Sequence, residues 1–463
     1  MECVDTSADH RGDEAAPGIR NAVGIDKRGT DRRIASLAIP ALGALLAEPL
    51  FLAVDSALIG HLGAAPLAGL AIASSILQTA VGLMIFLAYS TTPLVARRRG
   101  AGRHREAVQA GIDGLWLAVG LGTVLAVILW ALSGPLARSF DASEPVVDQA
   151  VTYLAISCLG LPAMLLVFAA MGLLRGLQDT RTPLAVAGIG FAINGLLNWW
   201  FIYGLGWGIA GSAWGTVIAQ WGMVAVYLLV IARHAVAHGA NPWPQRSGLS
   251  SAGRSGWWLF IRTIGLRAAM LVTVFAAASH GTEATAGFQV VFTVFSTIAF
   301  SLDALAIAAQ ALVGDALGAG RAEQARWVVR RTVFWGVACG TGLGVILLAS
   351  CTVVGRIFTS DPAVLQLVPP ALMVVALALP VCGIVFVLDG VLMGAGDAPY
   401  LAWTSLVNLA VYLPLLWAAT TLTPTGVDAI LTLTIAYAIG FMLARATTLG
   451  LRARGGRWIR LGV

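Results

Sequence analysis

The 463-residue chain repeats itself at one fixed spacing, so that two halves can be aligned without gaps. The sequence Gly-Ala-Gly-Arg at 100–103 returns at 318–321. Other matches at this same spacing lie far apart along the chain: Ala68-Gly69 with Ala286-Gly287, Phe140 with Phe358, Pro162 with Pro380, Phe168 with Phe386, Gly176 with Gly394, and Asp179 with Asp397. The shared spacing indicates two homologous halves joined by a linker. Two positions separated by it are called equivalent below.

Each half carries six apolar stretches that are long enough to cross a bilayer as a helix. Hydrophobic residues make up 58% of the chain and charged residues only 11%, which is far from the composition of soluble domains. The sequence therefore predicts an all-α membrane protein with twelve transmembrane helices, and the turn at 204–208 separates the fifth from the sixth. The predicted spans are 34–60, 67–95, 108–132, 150–174, 182–205, 207–232, 256–279, 285–312, 328–353, 364–393, 398–419 and 427–449.

Arginine clusters occupy every second loop and both ends of the chain, whereas the opposite loops hold only Arg138 and Arg356. The positive-inside rule places the arginine-rich loops in the cytoplasm. We therefore expect a multi-pass protein of the cell membrane with both termini cytoplasmic. An even number of spans in each half makes the repeats parallel.

The predicted division of the chain follows from these spans. Residues 1–33 form a polar cytoplasmic tail without the apolar core of a signal peptide. Residues 34–232 form the first lobe, 233–254 a Pro- and Ser-containing linker, 255–451 the second lobe, and 452–463 a basic cytoplasmic tail.

Several function classes are excluded by absent motifs. There is no GxxxxGK[ST] phosphate loop, so pumping must use an ion gradient. The six histidines and five cysteines lack metal-ligand spacing, which predicts no metal, no cofactor and no enzyme activity. Because membrane topology accounts for the net charge of +6, we expect lipid headgroups as partners rather than nucleic acid, and a monomer.

Acids within the spans are the informative residues, because a carboxylate at membrane depth is costly and is rarely retained without a task. Glu48 and Asp55 lie two helical turns apart in the first span, and Asp303 and Asp389 lie in the eighth and tenth. The positions equivalent to Asp55, Asp303 and Asp389 are neutral: Thr273, Ile85 and Met171. Folding of the repeat therefore does not require the acids. Each acid could alternatively be hydrogen-bonded within the bundle or lie near an interface.

Around these residues the chain resembles a known transporter family. The segments at 54–63, 100–103, 175–183 and 194–216 are similar to those of multidrug and toxic compound extrusion (MATE) transporters. The segments at 302–304, 310–314 and 388–397 resemble its DinF-like branch. The resemblance covers about residues 34–450.

This resemblance implies two six-helix lobes around a central cavity and export of amphiphilic, often cationic compounds in exchange for protons or sodium ions. In such transporters an acid matched by Asp55 is the protonation centre of the first lobe. The proline matched by Pro40 is a hinge that bends the first helix. Asn194, Asn198 and Thr216 match its polar neighbours.

Two departures from the family favour protons as the coupling ion. Asn198 stands where many relatives carry a second aspartate, and Thr273 stands where another branch has a glutamate. An amide cannot titrate, and a sodium site needs charge and several oxygen ligands. Sodium coupling remains the alternative.

Asp303 and Asp389 form a possible second cation or proton site, provided that they face one cavity and share a proton because they repel. Glu48 and Gln310 are accessory candidates.

Two other functions remain open. A lipid-linked precursor flippase would have the same two lobes, with a cavity ringed by arginines and additional spans. Only Arg262 and Arg267 are candidates for such a ring, and both could reach the cytoplasmic surface instead. A channel is disfavoured because it needs no acids specific to one half.

Overall fold

A computed structural model describes residues 27–359, 361–422 and 427–462, and these residues form helices and turns without β-strands. Twelve helices are long and apolar enough to cross a membrane, which confirms the predicted fold class. They are α1 (Lys27–Gly60), α2 (Ala64–Gly100), α3 (His104–Arg138), α4 (Glu144–Gly176), α5 (Arg181–Gly204), α6 (Gly208–His238), α7 (Arg246–Ala278), α8 (Thr282–Gly318), α9 (Ala322–Phe358), α10 (Pro362–Gly394), α11 (Ala398–Leu422) and α12 (Val427–Arg454).

Several helices extend beyond the predicted segment boundaries. Helix α1 begins at Lys27, within the predicted tail, and residues 1–26 of that tail lie outside the described residues. The predicted linker shrinks to 239–245, because α6 and α7 both extend into it. Polar residues continue these helices beyond the predicted apolar spans, and at α1 an ion pair contacts the extension. One such pair joins Asp31 of α1 to Arg331 of α9, with 2.5 Å between Oδ2 and Nη2.

The duplication is visible in how the helices of each half touch. Gly172 of α4 packs against the main chain of Ala88, and the equivalent glycine, Gly390 of α10, packs against the main chain of Ala306. A Cβ atom at either glycine would overlap the neighbouring carbonyl, so only glycine allows this approach. Further equivalent glycines make the same kind of close contact: Gly176 and Gly394, and Gly122 and Gly340.

The two halves close against each other where α2 and α8 end. Because twelve spans return the chain to its starting side, residues 27 and 462 lie at one face of the bundle, which we call the terminal face. Here Gly100 packs against the main chain of Asp315, and Gly318 packs against that of Arg97, a contact with approximate twofold symmetry. Arg99 Nη1 also lies 2.9 Å from Asp315 Oδ1.

The segment after α12 adds a second connection across this face. Arg97 Nη2 donates hydrogen bonds to the carbonyl oxygens of Arg460 at 2.7 Å and Gly462 at 2.8 Å. Gly462 N in turn donates to the carbonyl of Leu317 at the end of α8, at 3.1 Å. The carboxyl-terminal segment thus contacts both halves at the terminal face.

Candidate functional site

Asp55 lies on α1 in a pocket formed with α4, α5 and α6, and only 3% of its surface is exposed. Asn198 Nδ2 donates to Oδ1 at 2.8 Å, and Ser212 Oγ donates to the same oxygen at 2.5 Å. Tyr153 Oη donates to Oδ2 at 3.4 Å. All three partners are uncharged. The carboxylate is therefore stabilised by hydrogen bonds alone, without a neighbouring cation.

The turn between α5 and α6 explains why two of these partners meet. Residues 205–207 join the helices as antiparallel neighbours, which brings Asn198 opposite Ser212. Gly215 leaves room for the Asn198 side chain, because a Cβ atom there would overlap its amide oxygen.

Of the three polar neighbours expected from the sequence, the structure brings one to the acid. Asn198 bonds Asp55, whereas Asn194 and Thr216 make no hydrogen bond to it. Asn194 Oδ1, Asn198 Oδ1 and Thr216 Oγ1 are buried without a hydrogen-bond partner among the described residues.

Sequence reasoning missed Ser212 and Tyr153. Ser212 lies one helical turn before Thr216, so helical spacing could have identified it. Nothing local in the sequence singles out Tyr153, because it comes from α4, almost a hundred positions after Asp55 in the chain.

A cavity of about 440 Å³ lies beside this pocket, a volume suited to a drug-sized molecule. Five helices of the first half line it, together with α7 and α8 of the second. Tyr153 lines the cavity and also bonds Asp55, so it links the two. Asn194 and Thr216 are on the same wall. The other lining side chains used below are Phe51, Leu52, Ser157, Phe168, Phe191, Arg267 and Phe300.

Pro40 lies within α1, which is continuous from Lys27 to Gly60. Proline cannot donate the helical hydrogen bond to the residue four positions earlier, so the carbonyl of Ser36 lacks its usual donor. The hydroxyl of Thr180, just before α5, approaches that carbonyl at 3.5 Å. A single long hydrogen bond thus replaces the missing one, which fits a position where the helix can bend.

The other acid of α1, Glu48, has a side chain outside the described residues. Its role as an accessory residue stays a prediction. The residue after it, Pro49, lines the cavity.

The second-half acids do not form an isolated carboxylate pair. Asp389 of α10 is 6% exposed and accepts hydrogen bonds from Arg262 of α7, through Nε at 3.2 Å and through Nη2. Arg445 of α12 also donates to it, at 3.3 Å. The alternative that Arg262 reaches the surface is therefore wrong, because its side chain is buried and directed to Asp389.

Asp303 of α8 lies near the same group. Its carboxylate is within electrostatic range of Arg262, Arg445 and Arg175. None of the described residues donates a hydrogen bond to it. Both acids thus lie near Arg262 and Arg445, Arg175 also lies near Asp303, and this positive charge offsets the expected repulsion between the acids.

Gln310, the second accessory candidate, has a structural contact. Its amide Nε2 donates to the carbonyl of Tyr89 at 2.8 Å. That carbonyl lies four positions before Pro93, which cannot donate to it. Gln310 therefore supplies from α8 the hydrogen bond that α2 cannot make, and connects the two halves.

No group of three or more His, Cys, Asp or Glu side chains suited to a metal ion occurs within the described part of the chain. In the second half, Thr273 occupies the position equivalent to Asp55, and its hydroxyl lies 2.5 Å from that of Tyr412. This hydroxyl pair is neutral.

Comparison with known proteins gives consistent results. The MatE family model matches residues 40–200 and 262–417. Protein DETOXIFICATION 44, chloroplastic, of Arabidopsis thaliana is 31% identical over 398 residues, which is 83% of this chain and 75% of that protein. DNA damage-inducible protein F of Escherichia coli is 30% identical over 385 residues, which is 80% and 82% of the two chains.

Solved structures share the fold. The Vibrio cholerae MATE transporter VcmN in the bent form superposes with a TM-score of 0.85 at 22% identity, over 94% of this chain and 98% of that one. A MOP superfamily transporter from Pyrococcus furiosus, whose binding pocket is described as having reverse polarity, gives 0.82 at 20% identity, over 92% and 95%.

Proposed function

Because the chain belongs to the MatE family of multidrug and toxic-compound efflux transporters, we propose that it exports amphiphilic organic compounds in exchange for protons, by alternating access. The observation that carries the proposal is the Asp55 pocket, a buried acid with neutral partners beside a drug-sized cavity. On this proposal the protein is a monomeric, multi-pass component of the cell membrane. Both its ends are cytoplasmic, and it catalyses no chemical reaction.

The neutral partners make Asp55 suitable for reversible protonation. Adding a proton to it leaves no unpaired charge in the pocket, because no cation depends on its negative charge. Adding a proton to Asp389 would remove the charge that Arg262 and Arg445 hydrogen-bond, which is unfavourable for two buried cations. The two environments therefore support Asp55 as the coupling acid and a fixed charge at Asp389.

Helix α1 offers a route from protonation to the substrate. Phe51 and Leu52 line the cavity, and Asp55 follows within one helical turn on the same helix. Protonation removes the charge that holds Asn198 and Ser212 in place, so α1 can repack and reshape the wall. Pro40 supplies the weak point at which the helix can bend. Substrate and proton then exclude each other through the position of α1.

The unpartnered oxygens of Asn194, Asn198 and Thr216 favour one alternative, sodium coupling, since a sodium ion requires several oxygen ligands. However, hydrogen-bond donors already occupy both carboxylate oxygens of Asp55. A bound cation would have to displace these donors. Proton coupling requires no such rearrangement and is our preferred assignment.

Transport into reconstituted vesicles tests the proposal. A fluorescent amphiphile is followed under an imposed pH gradient and, separately, under an imposed sodium gradient. We expect accumulation with the pH gradient only, and its loss in Asp55→Asn. Glu283→Gln, an exposed acid at the start of α8, is the matched control. Accumulation that follows the sodium gradient with the pH gradient collapsed would establish the sodium alternative instead.

A further inference from the structure

Arg267 of α7 is a charged residue that the proposed mechanism does not use. It follows Trp257 by almost three helical turns, about 15 Å along α7, and an exposed tryptophan of this kind is typical of a membrane interface. It lines the cavity, and its guanidinium occupies the space left by the missing side chain of Gly82. A cation at this depth is expensive and is rarely retained without a partner or a task.

Arg267 has no such partner among the described residues. It is exposed and forms neither a hydrogen bond nor an ion pair with them. The acids of the second half are not available, because Asp303 and Asp389 already share Arg175, Arg262 and Arg445. The positive charge of Arg267 is thus available to a ligand.

The described side chains of the cavity wall include no carboxylate. Among the described side chains that line it, Arg267 is the only charged one. Asp55 is 3% exposed and lies behind Tyr153, with its oxygens occupied by donors. Among the described lining residues a cation would thus meet an arginine and no carboxylate, which disfavours cationic compounds as ligands.

The other side chains of the cavity wall indicate the shape and polarity of the ligand. Phe51 and Phe191 stack with ring centroids 5.1 Å apart, and Phe168 and Phe300 also line the cavity. Ser157 Oγ, Asn194 Oδ1 and Thr216 Oγ1 belong to lining residues, but these oxygens are themselves buried. Apart from Arg267, the aromatic wall therefore suits a flat apolar body. At about 440 Å³ the cavity is too small for a two-chain phospholipid.

We propose that the cavity selects organic anions, amphiphilic carboxylates or sulfonates with an aromatic body, and that Arg267 binds their anionic group. The inference deepens the proposed function by assigning its substrate class. The substrate then need not compete with the proton for the charge of Asp55, because the position of α1 already makes substrate binding and protonation mutually exclusive.

Binding of two xanthene dyes to the purified protein in an uncharged detergent tests this inference. Fluorescein is anionic and rhodamine 6G is cationic, while their ring systems are alike. Fluorescence anisotropy gives both dissociation constants without any ion gradient. We expect the wild-type protein to bind fluorescein at least about tenfold more tightly than rhodamine 6G, because a charge-assisted hydrogen bond contributes at least that factor.

Three variants identify the residue responsible. Arg267→Gln should weaken fluorescein binding at least about tenfold without weakening rhodamine 6G binding, because it removes only the charge-assisted contact. Arg267→Lys retains the positive charge and should keep most of the preference for the anion. Arg105→Gln removes an exposed arginine far from the cavity and should behave as wild type. Melting temperatures of all variants show whether they are folded.

Equal or tighter binding of rhodamine 6G by the wild type would overturn the inference. So would the absence of saturable fluorescein binding, or a fluorescein affinity unchanged in folded Arg267→Gln. Because the assay needs no gradient, a protein that binds the anion but fails to transport would refute the proposed coupling and leave the ligand class standing. A protein that transports only the cation would refute the anionic ligand class and leave the proposed coupling standing.

Discussion

Asp55 in the first half and Asp389 in the second are both buried acids, but their surroundings differ. Neutral donors from Asn198, Ser212 and Tyr153 surround Asp55. Two arginines hold Asp389. The first environment permits the charge to change, and the second requires it to stay.

The equivalent positions of the other half show that neither arrangement belongs to the fold. The residues equivalent to Asp55, Asn198 and Ser212 are Thr273, Leu416 and Ile430, all buried. The residues equivalent to Arg262, Asp389 and Arg445 are Ala44, Met171 and Tyr227. Helix packing is shared by the halves, whereas polar chemistry is not. The repeat therefore provides an internal control for each polar residue.

The largest expected effect is loss of transport in Asp55→Asn. An asparagine can hydrogen-bond Asn198, Ser212 and Tyr153 but cannot titrate, so pH-driven transport should fall at least about tenfold while folding is kept. Vesicle assays at equal protein amounts measure it. Retention of more than about half of the wild-type rate would show that Asp55 is not the coupling acid.

The next effect is on stability, in Asp389→Asn. This change removes the carboxylate that hydrogen-bonds Arg262 and Arg445, leaves them only the electrostatic attraction of Asp303, and should cost about 3 kcal/mol. Thermal unfolding in detergent measures the loss of stability. Asp55→Asn, the same substitution at the buried acid of the other half, is the matched control.

A triple variant sharpens that prediction by giving the second half the residues of the first. Asp389→Met, Arg262→Ala and Arg445→Tyr together remove Asp389 and both arginines that bond it, leave Asp303 with Arg175, and should be more stable than Asp389→Asn alone. A triple variant less stable than the single one would show that the arginines contribute something other than pairing.

The shared packing predicts equal effects of glycine substitution in the two halves. Gly172→Ala and Gly390→Ala each place a Cβ atom against a neighbouring main chain, and each should cost about 2 kcal/mol through overpacking. Gly188→Ala is the control, because nothing lies within 4 Å of a Cβ atom there. A large difference between the first two variants would break the structural equivalence of the halves.

The smallest effect is expected from Gln310→Leu. It leaves the carbonyl of Tyr89 without its donor, so it should cost about 1 kcal/mol. The equivalent residue, Thr92, donates to the carbonyl of Gly172 within its own half at 3.1 Å. Thr92→Val should therefore cost a similar amount. If Gln310→Leu instead slows transport at unchanged stability, the hydrogen bond between Gln310 and Tyr89 contributes to transport and not only to packing of the two halves.

Hydropathy and the repeat predicted twelve helices and two homologous halves. Both features can be seen locally in the sequence, because the thickness of a bilayer sets the length of each apolar stretch and close helix contacts require glycine at equivalent positions. Boundaries were less predictable. The start of α1, for example, is held by the ion pair of Asp31 with Arg331, which joins residues that are far apart along the chain.

The sequence by itself determined which acids are costly, since a carboxylate within an apolar span is evident without coordinates. It also placed Asp55 and Asn198 in one expected site. Only the tertiary structure decided what surrounds each acid. Tyr153 reaches Asp55 from another helix, Arg445 reaches Asp389 in the same way, and Arg267 faces the cavity without a partner among the described residues. A buried charge is governed by the groups within a few ångströms of it, and in a helical bundle those groups come from distant parts of the chain.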